Sequence, residues 1–81
     1  MRDFYFTFRS MTKAQQATNL LLQYGIDAEF SRTPKRISDI GCGYAARVKQ
    51  VDAYRSGLIL RQAELYYERG IHVAGWKVEN R

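Results

Sequence analysis

Phe4, Phe6 and Phe8 alternate with Tyr5 and Thr7, and a period of two is the repeat of a β-strand, whose successive side chains leave on opposite faces. Three aromatic rings sent to one side must be covered, so the chain has to build a second layer over that strand. Only one such core can form over 81 residues, because a chain this short buries little more than about 60% of its unfolded surface. The expectation is a single domain spanning residues 1–81.

Thr12 with Gln15 three residues later has capping-box spacing, and Ala14, Ala17, Leu21 and Tyr24 recur at steps of three and four. They predict a helix that Gly25 ends at the left-handed C′ position, with Ile26 packing back on the last turn. Ala28 to Arg32 reads as the second strand with Phe30 inward, and Pro34, which has no N–H, ends its ladder. Tyr44 to Val48 alternates again, after a connection short enough for a hairpin, and so predicts an antiparallel partner. Asp52 is the expected N-cap of a second helix running to Arg69 and ending at Gly70-Ile71, before a last strand from about Val73 to Val78. On that helix Ile59, Ala63 and Tyr66 form the expected sheet-facing stripe. Leu58, Leu60, Leu65 and Tyr67 spread apolar surface around the rest, where self-association or a docked protein would cover it, with Trp76 on the edge strand available to the same contact. The likeness of Leu22-Gln23-Tyr24-Gly25-Ile26 to Tyr67-Glu68-Arg69-Gly70-Ile71 suggests two facing βα units.

The order β-α-β-β-α-β with right-handed crossovers gives an α+β, ferredoxin-like sandwich, with antiparallel sheet order 4-1-3-2 and both helices on one face. It sets the third strand beside the first. Cys42, at the head of the third strand, is therefore expected near Ser10 to Thr12, with His72 close enough to influence it.

Cys42 is the only cysteine and stands between Gly41 and Gly43. A thiol becomes a nucleophile by ionising, which nearby cations and a helix N-terminus favour. Arg32, Lys35, Arg36 and Arg47 flank it in sequence, and two residues without a Cβ let a second sulfur approach. The alternative is a small hydrophobe filling the end of the core. One cysteine and one histidine cannot supply a zinc site, and no phosphate loop or serine triad pattern is present. No cofactor is expected, and these patterns give no support to self-contained hydrolytic catalysis.

The net charge of +5 favours anionic partners without naming one. RNA on the open sheet face is one candidate: Tyr5 would point there, and Gly43-Tyr44-Ala45 loosely matches part of a known base-stacking strand signature. Cys42 and Ala46, however, occupy positions where that signature has a basic and an aromatic residue. A lone cysteine forms no internal disulfide, and MRDFYFTFRS is too short for a signal core or a membrane span. Those features predict a basic protein of the reducing cytoplasm with no membrane association.

Thr33-Pro34-Lys35-Arg36-Ile37-Ser38 followed by Gly41-Cys42-Gly43-Tyr44-Ala45, with the helix end at Gly25-Ile26, resembles the selenium/sulfur carrier-like family of small bacterial proteins over nearly the whole chain. The resemblance implies a cytoplasmic carrier whose cysteine holds sulfur or selenium as a persulfide or selenopersulfide. It also implies protein partners, a donor such as a cysteine desulfurase and an acceptor enzyme. Only Cys42 carries over as the functional atom, with Gly43 beside it in the motif; Gly41, Lys35, Arg36 and Arg47 are the expected supports. The alternative reading is a non-catalytic binding module, for RNA on the open sheet face or for a protein or second copy through the second helix.

Overall fold

The computed structural model describes residues 2–33, 43–74 and 77–80. β1 (Arg2–Phe8) leads into α1 (Met11–Gln23), followed by β2 (Ala28–Arg32) and β3 (Tyr44–Lys49). A 3₁₀ turn at Gln50–Asp52 then opens α2 (Ala53–Gln62), and β4 (Arg69–Ala74) is followed by β5 (Lys77–Asn80). Every strand pair is antiparallel and the sheet order is β2-β3-β1-β4-β5. The first four strands thus take the expected order, 4-1-3-2 read from the other edge, in a ferredoxin-like arrangement. Where one last strand from about Val73 to Val78 is expected, β4 and β5 are separate strands, and β5 extends the sheet by one.

The phenylalanine ladder organises the core. Phe4, Phe6 and Phe8 pair with Val48, Ala46 and Tyr44 on β3, and residues paired across a ladder share a face. All three rings are buried, together with Ala14, Ala17 and Leu21 of α1 and Ile59 and Leu60 of α2, which puts both helices on one side of the sheet. Phe6 lies at the centre, 4.9 Å from the ring of Phe4 and 4.7 Å edge-on to that of Tyr67. Small residues beneath the rings let α1 sit close: Ala14, Ala17 and Ala46 are wholly buried.

The helix ends differ from expectation in instructive ways. Ser10, not Thr12, caps α1, its hydroxyl accepting the Lys13 N–H at 3.3 Å; the chain needs only Arg9 and Ser10 to turn from strand to helix. At the other end Gly25 takes φ +79°, and Gly25 and Ile26 donate to Leu22 and Leu21, each at 3.0 Å. That is the predicted Schellman end.

α2 stops at Gln62 rather than Arg69. Glu64 adopts φ 59°, Glu64 N–H donates to Arg61 at 3.0 Å and Leu65 N–H to Leu60 at 2.9 Å. The end is the same motif with glutamate in the glycine place, so the counterpart of Tyr24-Gly25-Ile26 is Ala63-Glu64-Leu65. Gly70 lies inside β4 opposite Phe6; a Cβ there would come within 2.6 Å of the Phe4 ring. It serves close approach, not a turn. Ala63 and Tyr66 accordingly fall off the helix and are exposed, while Ser56, Gly57, Ile59 and Leu60 form its buried face. Leu65 and Tyr67 pack on the core from the connection. Asp52 does hold the N-cap position of α2 but makes no capping bond through its side chain, and Trp76 lies outside the described residues.

These three backbone positions make opposite predictions, read from urea midpoints. At Gly57 a Cβ would meet Tyr67 Oη at 3.7 Å and the Phe6 ring at 3.8 Å, ordinary contact distances, so Gly57→Ala is expected to raise stability by about 0.5–1 kcal/mol. Gly70→Ala is expected to lower it by ~1–3 kcal/mol, because the Phe4 ring must be displaced. Glu64→Gly removes a left-handed strain of ~1–2 kcal/mol against a smaller entropic loss, for a net gain of up to ~1 kcal/mol. A stabilised Gly70→Ala protein would refute the close-approach account.

Candidate functional site

The chain enters β3 at one end of the sheet, where several elements converge. Phe8 and Arg32 both pair with Tyr44, and Thr33 N–H donates to the Gly43 carbonyl at 3.1 Å. This bond ties together the two residues that flank positions 34–42 in the sequence. β1 runs through Arg9 and Ser10 straight into α1, so the N-terminus of α1 lies at the same end; its first turn holds no acidic residue. The positive end of the helix dipole there favours an anion.

Around this end the described side chains are mostly engaged. The Arg32 guanidinium lies 5.8 Å from the centre of the Tyr44 ring, which stacks with Phe30 at 6.3 Å. Arg9 pairs with Glu68 at 3.3 Å. The Thr7 hydroxyl donates to the Arg69 carbonyl at 3.3 Å and accepts the Arg69 N–H at 3.1 Å, which fixes where β4 starts. The Thr33 hydroxyl is buried and has no hydrogen-bond partner among the described residues.

Of the residues expected to form the site, Gly43 and Arg47 can be placed; Cys42, Gly41, Lys35 and Arg36 lie outside the described residues. Gly43 is exposed, and a Cβ built on it meets nothing within 4 Å. Arg47 stands three residues along β3 from Tyr44, about 10 Å at strand rise, on the face away from the helices. Its Nη1 lies 3.3 Å from Asp3 and its Nε 3.2 Å from Glu29. Partial burial works against the charge, but the hydrogen bonds and charges of Glu29 and Asp3 outweigh it and hold the Arg47 pKa above its ordinary value. The cation of Arg47 is therefore balanced within the sheet.

Register fixes two further positions. His72 pairs with Phe4, whereas Gly43 leads to the pair of Phe8 with Tyr44; four residues of β1, about 13 Å, separate the two levels. β4 begins at Arg69 rather than Val73, so His72 sits within the strand rather than at its start, and Cys42 lies outside the described residues. Tyr5 and Tyr44 stand on opposite faces, since Tyr5 pairs with Arg47 while Tyr44 pairs with the inward Phe8. Tyr5 also packs against Ile71 and Val73, so the two tyrosines form no shared stacking platform. Ser10, the actual α1 cap, was legible as a serine just before an apolar-periodic run, but Thr12 and Gln15 offered the stronger pattern.

A family model described as putative Se/S carrier protein-like matches residues 3–72. The chain belongs to this family. No curated protein and no solved structure matches it. Among the described residues no helix is long and apolar enough to cross a membrane.

Arg47→Gln leaves Asp3 and Glu29 facing each other and is expected to cost about 1 kcal/mol, measured by urea unfolding. Because the Arg47 pKa is raised on folding, the contribution of its charge is present at neutral pH and is lost in strong alkali, as the guanidinium itself titrates. An equal loss from Arg47→Gln in an Asp3→Asn/Glu29→Gln background would refute the pairing. Gly43→Ala is expected to shift stability by less than about 0.5 kcal/mol.

Proposed function

We propose that this member of the Se/S carrier-like family holds a sulfane sulfur or selenium atom on Cys42 and passes it from a donor protein to an acceptor protein. The observation that supports this reading is the family match, which runs from residue 3 to residue 72 and spans the Gly41-Cys42-Gly43 motif. In loading, the Cys42 thiolate attacks the terminal sulfur of a persulfide on the donor. The donor's S–S bond breaks, a new S–S bond forms on Cys42, and the donor leaves as a thiolate. One persulfide replaces another, so no external oxidant or reductant is consumed. In unloading, a nucleophile on the acceptor takes the terminal atom and the Cys42 thiolate departs. A selenopersulfide follows the same course.

Both steps favour a thiol of lowered pKa, which is ionised near neutrality and leaves readily. We assign that lowering to Lys35 and Arg36, close in sequence, and to the N-terminus of α1; Gly41 and Gly43 keep the approach open. Arg47 serves the sheet instead, its charge being taken up by Asp3 and Glu29. A carrier thiol must remain reduced between transfers, which places its work in a reducing compartment such as the cytoplasm.

Incubation with a cysteine desulfurase and cysteine, followed by intact mass measurement, is expected to add one sulfur to the wild-type chain and none to Cys42→Ser. Equal addition to both, or none to either, refutes the reading. The rate of alkylation against pH is expected to have its midpoint below the ordinary thiol value of about 8.5, and Lys35→Glu with Arg36→Glu should move it upward. A midpoint at or above that value removes the activated thiol.

A further inference from the structure

On the flank of α2 a groove of about 380 Å³ opens over the core, at the lower end of ligand-pocket sizes. Phe4 and Phe6 form its floor and Tyr67 one wall, and Gly57, without a side chain, leaves it deep. Its rim is apolar and uncovered: Val51 is 87% exposed, Tyr54 80% and Leu58 39%. These three sit at steps of three and four along the 3₁₀ turn and α2, a continuous stripe on one side of the helix. Large apolar side chains standing together at a pocket mouth are the mark of a contact surface rather than of scattered exposure.

The polar groups of the groove say what would occupy it. Among the described residues Arg61 is the only charged one in its lining, and its guanidinium pairs with none of the described carboxylates. Gln50, also at the wall, keeps its side-chain oxygen buried, out of reach of an incoming group. An exposed cation beside an apolar floor and rim complements a segment that offers a carboxylate and an apolar side chain together. A second copy placed groove to groove would instead set Arg61 against Arg61 about the two-fold axis, between chains that each carry +5.

We infer that the α2 groove is a docking site for a partner protein, entered by a segment in which an apolar side chain stands beside an acidic one. Docking in this groove does not depend on sulfur chemistry at Cys42.

A short random-peptide library panned on the wild-type chain, with enriched peptides then titrated into ¹⁵N-labelled protein, tests this. The expected outcome is enrichment of peptides pairing Asp or Glu with an aliphatic or aromatic residue. Their amide shifts should centre on Gly57, Leu58, Arg61 and Tyr67. Arg61→Glu and Leu58→Asp, both at exposed positions, should each weaken binding about tenfold or more with the spectrum otherwise preserved. Cys42→Ser should bind as the wild type does, so that failure of sulfur transfer and failure of docking are read separately. Absence of any enriched peptide, a basic or uncharged motif, or shifts centred elsewhere overturns the inference. So does a concentration-dependent dimer abolished by Leu58→Asp, which would make a second copy the occupant.

Discussion

The packing of the phenylalanine ladder of β1 against small residues is the constraint on which the other features depend. Three rings on one face of a central strand need a helix layer close above them, and alanines at positions 14, 17 and 46 allow it. Glycine at position 70 lets the Phe4 ring lie across β4, and glycine at position 57 lets α2 come down over Phe6. At position 70 the ring occupies the space a side chain would take, so ring and gap form one unit, whereas Gly57 has room for a methyl group beside Phe6. The same arrangement produces the groove: where α2 presents Gly57, the buried rings of Phe4 and Phe6 form its floor.

Legibility from the sequence followed how directly a residue type reports its conformation. The β1 alternation, the Gly25 helix end and the β2–β3 hairpin were readable because a period of two and a left-handed glycine carry their geometry with them. The end of α2 was not, because Glu64 enters the left-handed region without the residue that usually announces it. Gly70 then drew the helix boundary too far. Glycine marks both a turn and a close approach, and single-chain reasoning has no means to tell which one a strand partner has imposed. The register of β4 followed that error, and with it the placement of His72.

At the candidate site the sequence named the residues around the thiol, and the fold redistributed their charges. Arg47 looked like a cation available to Cys42 because it lies near it along the chain. Strand pairing brings Glu29 from β2 and Asp3 from β1 to it instead. Arg32 likewise rests on Tyr44. Linear proximity overstates electrostatic proximity in a sheet, where the nearest charges come from neighbouring strands rather than from the same one.

The two surfaces of interest lie toward opposite ends of β1. Gly43 leads to the pair of Phe8 with Tyr44, while Phe4, in the floor of the groove, pairs with Val48 near the far end of β3. The whole molecule measures only 29 Å in its longest dimension, so a partner of ordinary size that seats a segment in the groove can also reach the β3 entry. With the groove as the proposed docking surface and Cys42 as the proposed carrier atom, docking at one end and transfer at the other would separate recognition from chemistry. The groove would supply affinity, and the thiol, presented at high effective concentration, would need only transient contact with the partner's sulfur. A carrier that must release its cargo benefits from that division, because tight binding at the sulfur itself would slow the second transfer as much as it assisted the first.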